Sequence, residues 1–162
     1  MVVFPGGNNL CDRPILHYIR KVALIKAYDV LCISYKNIND LNKYMDENLE
    51  YLVSEVEKAL YKVNINNNYK RIIFVSKSLG NLISGSIKDK NDYSIYKHVF
   101  ISPTPKALEH ISRNEGLVIT GTNDKYLDDR DREYLQGINN IEVMIVDGAG
   151  HSLETEFDID ET

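Results

Sequence analysis

RIIFVSKSLGNLISGSI, residues Arg71 to Ile87, joins two hydrophobic periods across a five-residue turn. Ile72, Ile73, Phe74 and Val75 form a β-branched and aromatic run, the pattern of a short strand buried on both faces. Leu79, Leu82, Ile83 and Ile87 follow at helical spacing. Between them stands Ser76-Lys77-Ser78-Leu79-Gly80. A strand that turns into a helix so abruptly needs small residues two positions before and two after the centre of the turn. Ser76 and Gly80 meet that need, and Ser78 at the apex is pushed into a strained, exposed position above the sheet. The pattern reads Ser-x-Ser-x-Gly, a departure at its first position from Gly-x-Ser-x-Gly.

Toward the N-terminus, Val2-Val3-Phe4 reads as a short strand followed at once by Pro5-Gly6-Gly7-Asn8-Asn9. A glycine pair after a strand lets the backbone approach a ligand closely. Leu10 to Lys26 is expected to be an amphipathic helix with Ile15, Ile19, Val22, Ala23 and Ile25 as its apolar positions. Tyr28 to Ser34 reads as a second strand, opening into Tyr35-Lys36-Asn37. Asp40 is the expected N-cap of a long helix reaching about Val63, with Leu41, Met45, Leu49, Leu52, Val56 and Leu60 on one face. Asn64 to Asn68 reads as a polar surface loop.

Toward the C-terminus, Lys97 to Ile101 reads as a strand broken by Ser102-Pro103-Thr104-Pro105, and Lys106 to Arg113 as a helical turn or two. Leu117 to Thr120 is a strand ending in Gly121-Thr122-Asn123-Asp124. Tyr126 to Leu135 is expected to be helical. Ile141 to Val146 is the last strand, followed by Asp147-Gly148-Ala149-Gly150-His151. Six strands separated by helical crossovers predict one α/β domain over residues 1–162, with a mostly parallel six-stranded sheet and helices on both faces. Ligands of such sheets bind beyond the carboxyl ends of the strands. That edge is where PGGNN, SKSLG, GTNDKYLD and DGAGHS fall.

Composition narrows the function classes. The 162 residues carry a net charge of −5, and no basic cluster exceeds two residues, which argues against nucleic acid or an anionic membrane as partner. No apolar run approaches the roughly 20 residues of a membrane span, and MVVFPGG lacks the basic and apolar regions of a signal peptide. Cys11 and Cys32 stand in unlike contexts, the usage of reduced thiols in a cytoplasmic protein.

Ser78, Asp124 and His151 follow one another in chain order, each just after a predicted strand. A serine that attacks an acyl group needs a base for its proton and an acid to orient that base. His151, among small neighbours in Gly-Ala-Gly-His, is the expected base. His17, His98 and His110 lie within predicted elements and read as structural. Asp124 competes with Asp128 for the acid, and its place nearer the strand end favours it. The developing oxyanion needs two N–H donors. Leu79 supplies one, and Gly7 or Asn8 the other. Asn9, Tyr35, Ser102 and Pro103 are expected around the substrate, in an open, shallow cleft.

Through PGGN, SKSLG, GTND and GAGH the chain resembles a minimal, lidless α/β-hydrolase, similar to small bacterial serine esterases. The resemblance places nucleophile, acid and base on Ser78, Asp124 and His151. It implies a sheet without the family's first two strands and no lid, since only Ser102 to about Gly116 connects the strands where a lid is commonly inserted. Pro5 stands where the family usually has histidine before Gly-Gly. The activity implied is hydrolysis of small carboxylic esters or thioesters with no metal or organic cofactor. A non-catalytic scaffold on the same fold, or an acyltransferase using the same residues, is the alternative.

Overall fold

The computed structural model describes residues 1–7, 10–35, 41–63, 65–87 and 96–155, without the side chains of 41–47, 66 and 67. Its six strands are β1 (Val2–Phe4), β2 (Leu31–Cys32), β3 (Ile72–Lys77), β4 (Tyr96–Ile101), β5 (Gly116–Gly121) and β6 (Ile141–Val146). All pair in parallel, in the order β2-β1-β3-β4-β5-β6. The order reverses between β1 and β3, and a crevice opens at such a switch point above the carboxyl ends of the strands. Val75 of β3 lies opposite Val3, and Ser76 opposite Phe4, so the turn after β3 rises beside the glycine pair after β1.

Side chains alternate across the sheet, and each face has its own core. On one face Phe4, Phe74, Phe100 and Val118 are covered by α2 (Leu41–Lys62), α4 (Leu79–Ser86), α5 (Leu108–Ser112) and α6 (Asp129–Gln136) through Leu52, Val56, Leu82, Ile83, Ile111 and Leu135. On the other, Val3, Val75 and Ile101 meet Leu16 of α1 (Pro14–Ile25). β6 is an edge strand and leaves Met144 half exposed.

Several elements differ from the sequence-based expectation. Tyr28 to Ser34 narrows to the two residues of β2, because β2 sits at the outer edge of the sheet and pairs only with β1. Helix α1 turns Leu16 and Ala23 inward and leaves Val22 57% and Ile25 81% exposed, so two of its expected core positions face outward. A short helix α3 (Ile65–Asn68) replaces the expected polar loop, anchored by buried Ile65 in the core under α2. The expected N-cap Asp40 lies outside the described residues, and α2 bends at Asn48, whose φ of −138° is not helical. The two cysteines are unpaired, yet their thiols are neighbours: burial, and then Cys32 beside it, push the Cys11 thiol up to about 12.

His98 on β4 is packed rather than exposed. Its ring stacks on Phe100 at 4.9 Å and meets Phe74 edge-on at 5.3 Å. Burial holds its pKa at about 4, so it is neutral at pH 7. Among the described residues, no helix is long and apolar enough to cross a membrane.

Candidate active site

Ser78 closes β3 and opens α4 with φ 53° and ψ −119°. A positive φ on a residue with a Cβ costs about 1–3 kcal/mol and persists only where the surroundings impose it. Here they do. The Ser78 N–H donates to the Ile101 carbonyl at 2.9 Å, and the Ser78 carbonyl accepts from the Asn81 N–H at 3.0 Å. A Cβ on Gly80 would lie 2.5 Å from the Phe4 carbonyl oxygen and 2.6 Å from that of Pro5, so the end of β1 demands the glycine. Ser76, at the motif's unusual position, is fully buried and donates its hydroxyl to Asn81 Oδ1 at 2.7 Å. The Asn81 amide donates in turn to the Ile101 carbonyl at 2.9 Å. Serine is therefore accommodated because α4 supplies a buried acceptor for its hydroxyl.

Two loops bring the partners of Ser78. Asp124 follows β5 and is held by its N–H donating to the Gly121 carbonyl. His151 follows β6 in a tight turn closed by Gly150 N–H to the Glu154 carbonyl and Leu153 N–H to the Gly150 carbonyl. Asn123 ties the loops together, donating from its backbone to Ala149 and from its side chain to Gly148.

The result is a continuous chain. His151 Nδ1 lies 2.8 Å and 3.0 Å from the two oxygens of Asp124, and Nε2 lies 2.9 Å from Ser78 Oγ. An ionised Asp124 only accepts, so Nδ1 carries the proton and Nε2 is left to accept from the serine hydroxyl. The Asp124 side chain is fully buried, while that of His151 is 20% exposed. Burial alone would raise the Asp124 pKa. The hydrogen bonds from His151 and from the Tyr126 N–H, with the charges of His151 and Lys77, outweigh it and hold the carboxyl below its ordinary value. Asp128, the rival for Asp124, caps α6 instead, accepting from the Asp131 N–H at 2.9 Å.

Ser78 and His151 open into a cavity of about 720 Å³, whose walls include Gly6, Gly7, Leu10, Ile15, Leu79, Thr104 and Tyr126. Leu79 is the first residue of α4, so its N–H has no intrahelical acceptor. Gly6 sits against the serine: a Cβ there would come within 3.2 Å of Ser78 Cβ. The Tyr126 ring meets the His151 ring edge-on at 4.6 Å, and Lys77 Nζ donates to the His151 carbonyl at 2.9 Å.

Of the expected substrate neighbours, Tyr35, Ser102 and Pro103 do not line this cavity. All three are buried, and the Tyr35 hydroxyl donates to the Pro5 carbonyl at 3.4 Å, bracing the glycine loop from behind. Thr104 takes the expected place of Ser102 and Pro103. Asn8 and Asn9 lie outside the described residues. The first turn of α1 also walls the cavity, with Pro14, Ile15 and Leu16. Gly6, Lys77, Arg13 and Tyr126 line the cavity in addition to the residues expected there. Gly6 and Lys77 stand inside the two motifs, whereas nothing local marks Arg13 or Tyr126.

No protein-family model and no curated protein matches the chain by sequence. Solved structures match its fold. A carboxylesterase structure from Nitrososphaera gargenis superimposes with a TM-score of 0.71 at 10% identity, covering 93% of this chain and 82% of its own. The fold is that of the α/β-hydrolases. An alpha-beta serine hydrolase homologue from Coxiella burnetii gives 0.71 at 13% identity over 93% of this chain and 74% of its own. Est1E from Butyrivibrio proteoclasticus, solved with ferulic acid bound, gives 0.69 at 11% identity over 94% and 81%. The α/β-hydrolase fold of this chain thus carries its Ser-His-Asp chain at the carboxyl edge of the sheet.

Proposed function

We propose that this protein is a serine hydrolase that cleaves small carboxylic esters or thioesters through an acyl-enzyme. One observation carries the reading: Ser78 Oγ is 2.9 Å from His151 Nε2, while Nδ1 of the same ring is held by buried Asp124. Ser78 attacks the acyl carbon as its proton passes to Nε2. Asp124 fixes the tautomer and stabilises the imidazolium. The Leu79 and Gly7 N–H groups receive the oxyanion. Collapse of the adduct expels the alcohol or thiol, which takes the proton from His151, and water then releases the acid by the same path. Asn8 remains the alternative second donor. The small-molecule ester is the expected partner, and the unpaired cysteines suit a cytoplasmic setting.

A fluorophosphonate probe tests this directly. It should label the native protein on Ser78 and fail to label Ser78→Ala, and labelling that persists in the variant would overturn the assignment. In an acyl series of p-nitrophenyl esters, each methylene buried against Leu10, Ile15 and Leu79 adds about 0.8 kcal/mol, or about fourfold in kcat/KM. The rise should flatten after a few carbons, where the chain passes half-exposed Leu10 into solvent.

A further inference from the structure

The walls of the Ser78 cavity are charged out of keeping with the rest of the molecule. The chain has a net charge of −5, yet two cations, Arg13 and Lys77, line this cavity against one carboxylate, Glu154. The other carboxylate nearby, Asp124, is committed to His151 and the Tyr126 N–H. Arg20, Arg113 and Arg132 each hold an aspartate or glutamate. The Arg13 side chain makes no hydrogen bond or ion pair with any described residue, while its carbonyl, at the N-cap of α1, accepts from the His17 N–H at 2.8 Å. Lys77 uses one of its three N–H donors on the His151 carbonyl, leaving two for the cavity. Burial, and to a smaller degree the like charge of Arg13, depress the Lys77 pKa, while Asp124 and Glu154 oppose the shift. Exposed Arg13 and part-buried Lys77 thus face one cavity in which, among the described residues, Glu154 is the one carboxylate not already committed, so an added anion would find a cation to pair with.

Building on the serine-hydrolase reading, we propose that Arg13 and Lys77 form an anion subsite beside Ser78, and that the substrate is an ester carrying a carboxylate on its acyl or its alcohol side. The carboxylate bridges the two cations while the ester carbonyl lies at Ser78. Neutral esters lose that contact and leave the cations unpaired. An anion seated there raises the attraction for the whole substrate and fixes its direction in the cavity, so one side of the ester is preferred.

The test uses two matched pairs: the p-nitrophenyl monoester of adipate against its terminal amide, and 4-acetoxybenzoate against 4-acetoxybenzamide. The first pair places the charge on the acyl side, the second on the alcohol side. In at least one pair the anionic ester should show about tenfold higher kcat/KM at low ionic strength. That ratio should fall toward one in 1 M NaCl, where the screening length is about 3 Å, and in Arg13→Gln. Lys77 is left unchanged because it also holds His151. Binding of the same compounds to Ser78→Ala by calorimetry gives a readout independent of turnover. A ratio of one or less in both pairs, or a ratio that Arg13→Gln does not alter, overturns the subsite. Equal binding of acid and amide by Ser78→Ala does the same. If the wild type turns over neither ester yet binds the acids preferentially through Arg13, the subsite stands and the hydrolase reading falls.

Discussion

Replacing Asp124 by asparagine keeps the size of the side chain and its acceptor for the Tyr126 N–H, but removes the charge that faces His151 Nδ1 at 2.8 Å. The amide can meet the ring by turning its NH₂ toward Nδ1. The proton then moves to Nε2, which faces Ser78 Oγ at 2.9 Å and can no longer accept from it. The wrong tautomer in a Ser-His-Asp enzyme lowers kcat about 10⁴-fold, equivalent to about 5 kcal/mol of transition-state stabilisation. Asp128→Asn is the matched control. Its carboxylate caps α6 through the Asp131 N–H, and asparagine caps nearly as well, so ester hydrolysis should stay within about twofold. Initial rates on p-nitrophenyl acetate with equal amounts of each folded variant measure both. If Asp124→Asn keeps more than a tenth of wild-type kcat, or if Asp128→Asn is the more damaging change, the acid has been assigned to the wrong residue.

Gly6→Ala should lower kcat about 10- to 100-fold with little change in Tm, because its Cβ would press Ser78 Cβ at 3.2 Å and shift the nucleophile. Unchanged kcat would show that the serine tolerates the intrusion. His98 should make the protein acid-labile: its pKa is about 4 folded against 6.5 unfolded, so the unfolded state takes up the proton first and stability is lost progressively as the pH falls from 6.5 toward 4. Linkage gives a loss of about 2 kcal/mol at pH 5. Urea unfolding at pH 7 and pH 5 should show that loss in the wild type and a correspondingly smaller one in His98→Phe, and equal losses in both would refute it.

Local sequence was enough to mark the strands β1, β3, β4, β5 and β6, because buried parallel strands are short unbroken apolar runs bounded by glycine, proline or polar turns. It also marked the residues at their carboxyl ends, since chain order and strand order coincide there: Ser78, Asp124 and His151 each follow a strand. That these three side chains meet was not written in any one segment. It follows from the order β3-β4-β5-β6, which sets the three turns along one edge of the sheet, and from Asn123, which ties the Asp124 loop to the His151 turn. The tertiary structure also reassigned residues whose local signals were ambiguous. Tyr35 follows a strand as Ser78 does, yet packing turns its ring inward to brace Pro5. Ile65 stands in an asparagine run that reads as loop, and a buried site for one side chain is enough to make that run helical. Arg13 carries no motif at all. It reaches the cavity only because α1 packs on the sheet face that ends beside Ser78, a consequence of three-dimensional packing that periodicity along the chain cannot encode.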